Sequence, residues 1–395
     1  MTTIDYIGFD IHKKTISFCV KAQDGTILEE GTIPALRNKL LAWAKSRPGP
    51  WIGAMEATLF TGWIYDLLKP LAQELKVAHP PMLKAIAAAK KKNDKVDARM
   101  IADLLRCNLL PQCYMAPVAI RDLRRMLRYR NLVVRQTTRM KNRIAGLLME
   151  TGTPYTKERL HGKAYFNELL GSLQEVPRSV VELLKLSRGQ VEFFVAIQQR
   201  LLKGLREHAD LSQRVMRLQT IPGVGEILAL SWALEVGEVK RFPSIAQAAS
   251  YCGLTSAQHN SAGKEQRGPI SKQRNHHLQT ILIEAAKLAP RYNPPLAAVH
   301  ERELQRGNRN QATLAVARKL VAYLMAVDKS GKPFAMRACM WRHEWVGRFP
   351  YAQAKHSHRA GAGILRLRAP ARGAPSTAWA VSAPDAWLPA QPAEF

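Results

Sequence analysis

Acidic side chains are scarce in this chain: 31 Asp and Glu stand against 59 Lys and Arg, leaving a formal charge of +28 over 395 residues. So strong a shortage of one sign argues against a basic partner and favours a polyanion, because each phosphate neutralised by a protein releases condensed counterions. Nucleic acid is the partner this balance points to, ahead of a membrane surface. Cysteine is sparse as well. The five, at 19, 107, 113, 252 and 339, make no CxxC and no Cys/His metal spacing. That argues against a zinc site, and the odd number fits reduced thiols in a cytosol better than a disulfide framework. No run of about 18 apolar residues occurs, which is what a membrane-crossing helix requires. The opening MTTIDYIGFD also lacks the basic segment and apolar run of a secretory leader. The expectation is a cytoplasmic protein without a membrane partner. No internal repeat is present.

What is there is a globular composition, 47% hydrophobic, in a chain long enough for two or three cores. DYIGFDIHKKTISFCVKAQDGTILEEGTI reads as a three-strand meander, with turn signals from His12 to Lys14 and at Asp24 and Gly25. ALRNKLLAWAKS reads as helix, WIGAMEA as a short buried strand, TGWIYDLLKPLAQEL as helix and KVAHP as a brief strand. The fold class expected for residues 1–115 is therefore α/β with a mixed sheet.

From about Ile120 the pattern is wholly helical. Ile120, Leu123, Leu127, Val134, Ile144 and Leu148 recur on a 3-4 spacing interrupted by Arg130, Thr137 and Lys141; Leu184, Val191, Phe194, Leu201 and Leu205 form a second such run. This predicts a long helical hairpin over 116–215. At LQTIPGVGEILALSWALEVG, Pro222, Gly223 and Gly225 mark a tight turn between two apolar helices, which opens 216–345. A helix-hairpin-helix turn of this kind offers backbone N–H groups to phosphate, and Gly223 and Gly225 are candidate contacts, although such a turn equally serves plain packing. Residues 346–395 are Ala/Pro/Gly-rich with Arg, and read as a flexible tail.

The chemistry concentrates where positive charge does. Lys84 to Arg143 carries 16 Lys and Arg against four Asp, and within it KKKNDKVDARMIADLLR runs Lys90, Lys91 and Lys92 into Asp94 and Asp97 with Lys95 between. Residues three apart share a helix face, so both aspartates can meet one object. Taken alone they are ordinary acids of a helix first turn, favoured by the macrodipole, with Asn93 or Asp94 as cap. Asp10 and Glu56, however, end separate strands and have no helix to cap. Four carboxylates brought together repel unless a cation lies among them, and hard oxygen donors suit Mg²⁺ or Mn²⁺. The adjacent lysines then grip a phosphodiester backbone beside the metal.

Asp10 in GFDIHKKT, Glu56 in AMEAT, and Asp94 and Asp97 in KNDKVDARMIA resemble the D, E, D, D signature of the DEDD-type insertion-sequence transposases. That family also includes pilin-gene invertases and bridge-RNA-guided recombinases. The resemblance implies a RuvC-like, ribonuclease-H-type nuclease domain followed by a mainly helical transposase domain with a nucleophilic serine. SYCGLTSAQHNSAGKEQRGPISKQRNHHLQTILIEAA resembles the latter, and the serine falls on Ser261 in NSAGK. The family form has Ser followed directly by Gly; here Ala262 precedes Gly263, which leaves Ser256 and Ser271 as alternatives. Ser261 is read as lying in a polar loop among Lys264, Arg267, Lys272 and Arg274, where cations can neutralise a phosphate as a hydroxyl approaches it.

The expected function is a DNA transposase and recombinase that cuts and rejoins element ends and target. What the resemblance adds is a structured guide RNA, a homo-oligomer (dimer or tetramer) joined through the helical hairpin, and nucleoid association in a prokaryotic cytoplasm. Two other readings stay open: a RuvC-like metal nuclease that hydrolyses branched DNA with water, and a nucleic-acid scaffold without catalysis.

Overall fold

The computed structural model describes residues 4–86, 93–261 and 264–335, with the backbone alone for 259–261 and 264–267. Lys90, Lys91, Lys92, Ala262, Gly263 and the tail 346–395 lie outside the described residues. Three strands, β1 (Asp5–Ile11), β2 (Thr15–Lys21) and β3 (Ile27–Pro34), form the antiparallel meander. α1 (Arg37–Lys45) leads to β4 (Trp51–Glu56), and α2 (Thr61–Leu68) to β5 (Glu74–Ala78). β4 and β5 join parallel to β1, which gives the order β3-β2-β1-β4-β5. The result is a five-stranded mixed sheet with helices. α2 stops at Leu68, short of the sequence expectation through Leu75; Pro70 cannot continue a helical ladder, and Leu75 belongs instead to β5.

β1 is the centre of the sheet, and its two faces are covered differently. Ile7, Phe9 and Ile11 pack with Trp51, Ile64 and Leu68 in one apolar core. After α3 (Pro80–Ile86), α4 (Asp94–Arg106) covers the opposite face, where Ala98, Ile101, Ala102 and Leu105 are buried. Its backbone comes so close that a Cβ on Gly8 would lie 2.1 Å from the Ala98 carbonyl oxygen and 2.5 Å from the Ala102 nitrogen. Only a residue without a side chain fits there. Two ion pairs hold the helix in that register: Lys21 Nζ lies 2.6 Å from Asp103, and Arg99 donates from Nε and Nη2 to the Glu30 carboxylate. The Lys21 side chain is 8% exposed, so its partner on α4 also neutralises a nearly buried charge.

Beyond α4 the described residues are mainly helical. α5 (Val118–Glu150), α6 (Lys163–Ser172) and α7 (Arg178–Arg206) follow. Leu123 and Leu127 share a core with Leu202 and Leu205, while Ile144 and Leu148 share another with Leu184 and Val191, so α5 and α7 run antiparallel. Two details differ from the sequence pattern. Val133 is buried rather than Val134, and Thr137, read as an interruption, lies inside. Thr137 satisfies its hydroxyl by donating to the Val133 carbonyl and accepting from Gln198 across the hairpin, 2.8 Å away.

α8 (Ala209–Gln219), α9 (Glu226–Val236) and α10 (Ile245–Tyr251) precede a two-stranded hairpin, β6 (Ser256–Ser261) and β7 (Lys264–Ile270); α11 (His276–Leu288), α12 (Pro294–Arg306) and α13 (Arg309–Ser330) complete the fold. The hairpin corrects the reading of this segment as a loop. Its residues are mostly polar, so no apolar alternation announced the strands, and Ser261 pairs with Lys264 at its end.

The seating of α4 yields a first expectation. Gly8→Ala must push α4 backbone, not a flexible side chain, and overpacking of this kind costs about 1–3 kcal/mol or more. Urea unfolding should show a loss at the upper end of that range; a change below about 0.5 kcal/mol, the size of an ordinary surface substitution, would mean the contact is not tight.

Candidate active site

β1 and β4 are adjacent and parallel, with Phe9 opposite Met55, so Asp10 and Glu56 stand side by side one residue further along. Ligands of α/β sheets gather beyond the carboxyl ends of parallel strands, and these acids occupy that edge. α4 lies antiparallel to β1 across Gly8. One helical turn before Ala98 is Asp94, and two strand residues after Gly8, on the same face, is Asp10. The contact that demands glycine thus delivers Asp94 to Asp10. Asn93 caps α4, its side chain accepting from Lys95 N at 3.2 Å, so both Asp94 and Asp97 fall in the first turn.

The two acids are joined by a residue that the sequence pattern places in a turn. His12 Nε2 lies 3.1 Å from Asp10 Oδ2 and 3.5 Å from Asp94 Oδ1. One donor atom from each of Asp10, His12 and Asp94 falls within 4.8 Å of the others. Donors around an octahedral ion at about 2.1 Å are roughly 3–4.2 Å apart, so the group fits a divalent cation after small adjustment. Carboxylates suit Mg²⁺ or Mn²⁺, and the imidazole adds a softer donor. The signal for His12 was its spacing: it stands two residues after Asp10, in GFDIHKK, at the end of the strand face carrying Gly8 and Asp10.

Asp97 and Glu56 are half-buried and stand outside that donor group. Asp97 still acts on the site electrostatically. Burial pushes the Asp10 carboxyl above its ordinary range; His12 pulls it back by charge and hydrogen bond, and the charges of Asp97 and Asp94 add to the rise. A cation answers each of the upward causes.

The other candidates divide by what already holds them. Ser261 is at the end of β6, while Ser256 pairs with Ile270 at the hairpin base and Ser271 N bonds to the Thr255 carbonyl there. Lys264 and Arg267 are on β7, and Lys272 is exposed just beyond it. Arg274 is half-buried, donates to the Ser271 carbonyl at 2.8 Å and packs against Gly253, so its guanidinium serves the fold. Gly223, at φ +93°, lies against Ala289, where a Cβ would meet its backbone at 2.9 Å. That side of the turn is filled by the chain itself. Gly225 faces open space at the start of α9, but Glu226 occupies the first turn and is held below its usual carboxylate range by Arg206. Lys95 is exposed beside Asp94. Of the basic stretch, Arg99, Arg121 and Arg128 pair with Glu30, Asp66 and Glu235, whereas Arg135, Arg139 and Arg143 line the exposed side of α5.

A folded-state value above the unfolded one means that Asp10 contributes stability below the unfolded carboxylate range and loses it as pH rises through its own raised value. At neutral pH without metal the Asp10 charge is therefore a cost. Asp10→Asn should raise metal-free stability at pH 7.5 and remove most stabilisation by Mg²⁺ or Mn²⁺. Unfolding in chelator and in metal checks both; a variant stabilised by metal as strongly as the parent would contradict the assignment.

Two family models match the chain. One, for DEDD transposases of the IS110 type and described as "Transposase", covers residues 7–153, and one described as "Transposase IS116/IS110/IS902 family" covers residues 215–301. A protein of Pseudomonas aeruginosa named "Probable family 20 transposase" is 27% identical over 290 residues, 70% of this chain and 84% of that one. The transposase for insertion sequence element IS1328 of Yersinia enterocolitica is 24% identical over 345 residues, 85% of this chain and 100% of its own length. The transposase for IS1111A of Coxiella burnetii is 26% identical over 302 residues, 74% and 79% of the two chains.

Proposed function

We propose, for a chain that belongs to the IS110-type insertion-sequence transposases, that it cuts and rejoins DNA at the ends of its own element and at a target. The observation that carries this reading is the meeting of Asp10, Asp94 and His12 at the carboxyl edge of the sheet. Asp10, Glu56, Asp94 and Asp97 would hold Mg²⁺ or Mn²⁺ in a RuvC-like nuclease domain, spanning 1–115. Bound there, the ion supplies charge neutralisation at the scissile phosphate and lowers the barrier to displacement of an oxygen.

The chain's own residues do the rest. The buried Asp10 supplies an anionic donor to the ion, and His12 keeps Asp10 and Asp94 together when they would repel. Lys95, with Lys90 to Lys92, grips backbone phosphates, and Arg135, Arg139 and Arg143 extend a cationic stripe along α5. Ser261, at the end of a hairpin in the 216–345 domain, is the nucleophile: its Oγ bonds to phosphorus as the sugar oxygen leaves with a proton, and attack by a sugar hydroxyl reverses the step without ATP. Lys264, Arg267 and Lys272 offset the phosphate charge. A structured RNA encoded by the element guides the choice of DNA, and the helical hairpin of 116–215 joins copies into a dimer or tetramer, so that serine and metal meet over one phosphate.

The test is label transfer. Element-end DNA carrying ³²P at the joined phosphate is incubated with protein and Mg²⁺, denatured and resolved. Label should travel with the protein, be lost in Ser261→Ala and Asp94→Asn by at least about 100-fold (near 2.7 kcal/mol), and persist in Ser256→Ala and Ser271→Ala. Free cut ends with no adduct would favour the water-using nuclease, and neither product would favour the scaffold.

A further inference from the structure

Beside the acidic cluster is a cavity of about 300 Å³ lined by His12, Lys13, Leu36, Arg37, Phe60 and Trp63. We propose that it receives an unpaired nucleobase of the DNA strand being cut, the one next to the reacting phosphate.

The lining combines two aromatic rings with two cations, the groups that hold a nucleotide. Phe60 and Trp63 are half-buried, so their rings are fixed by the core beneath, with part of each left accessible. Nucleobases stack on such rings regardless of identity, and this is how single strands are held. The Arg37 guanidinium stands 5.4 Å from the Trp63 ring centroid, and Lys13 adds a second cation. α1 and α2 both begin at this cavity, through Leu36 and Phe60; neither has a side-chain cap at that position or an acid in its first turn. Two helix N-termini and two cations therefore surround the rings, with no acid in the first turn of either helix, which suits the phosphates flanking a base.

The occupant is assigned to DNA by one shared residue. His12 both lines the cavity and bridges Asp10 and Asp94, so whatever fills the cavity adjoins the phosphate at the acids. A duplex buries its bases in the stack. A strand with one base turned out exposes its phosphodiester to the metal edge and presents that base to the rings. This assignment rests on the proposed DNA cutting for the identity of the strand, whereas stacking itself needs no cutting.

The experiment uses the full chain in EDTA, where no cleavage intervenes. An oligothymidylate of about 12 nucleotides, within the usual range for single-strand sites, carries one 5-iodouracil and is cross-linked by light. Mass spectrometry should find the adduct on Trp63 or Phe60. In parallel, binding of oligothymidylate is compared with an abasic sugar-phosphate of equal length and charge. Trp63→Leu should weaken the first roughly 5- to 100-fold and leave the second unchanged, with Trp63→Phe restoring most of the loss. Equal weakening of both oligomers, weakening of neither, or adducts confined to other segments would overturn the proposal, and the wild-type adduct map stands even if Trp63→Leu folds poorly. Stronger cross-linking to oligouridylate than to oligothymidylate would overturn the assignment to DNA. Cleavage surviving Asp94→Asn would overturn the metal reading alone, because the adduct map does not depend on it.

Discussion

The contact of α4 with β1 at Gly8 is the constraint on which the acidic site depends. A helix packed on a sheet is ordinarily held off it by the side chains of both. Here Ala98 and Ala102 on one side and the absent side chain of Gly8 on the other let backbone approach backbone. Lys21 with Asp103, and Arg99 with Glu30, stop the helix from sliding. Its first turn then overhangs the end of β1, and two acids distant in sequence, Asp10 and Asp94, are held close enough to need a counter-charge.

Much of this was legible beforehand, for identifiable reasons. The meander, the mixed sheet and the helix at Asp94 follow from short-range signals: β-rich runs such as YIGFD, the turn at Asp24 and Gly25, and the apolar spacing of Ile101, Leu104 and Leu105. The convergence of Asp10 with Asp94 could be expected because strand-end acids lack any capping role. His12 is easily passed over despite its spacing from Asp10, since an exposed histidine between a strand and two lysines looks like any turn residue. The β6–β7 hairpin was missed because polar strands without a buried face leave no alternation. Thr137 was misread because its burial depends on Gln198, 61 positions away in sequence.

The helical part is organised around one buried carboxylate that no local pattern announced. Glu235, 1% exposed, accepts two bonds of 2.7 Å from Arg128 on α5 and one of 2.9 Å from Asn275. Burial alone would push its carboxyl up, but Arg128 and Asn275 hold it below the ordinary range. Asn275 also caps α11, a few residues after the hairpin ends at Ile270. The hairpin carrying Ser261 is thereby anchored at its return end to the same residue that fastens α5.

The proposed chemistry requires Asp10 and Asp94 to hold a cation. Anomalous diffraction from crystals of the full chain soaked in Mn²⁺ tests this most directly. The expected result is a single strong peak between the Asp10 and Asp94 carboxylates, about 2.1–2.3 Å from an oxygen of each, with Glu56 and Asp97 directly or through water in its surroundings. Strong Mn²⁺ peaks elsewhere, with His12 still bridging two metal-free aspartates at saturating ion, would contradict it.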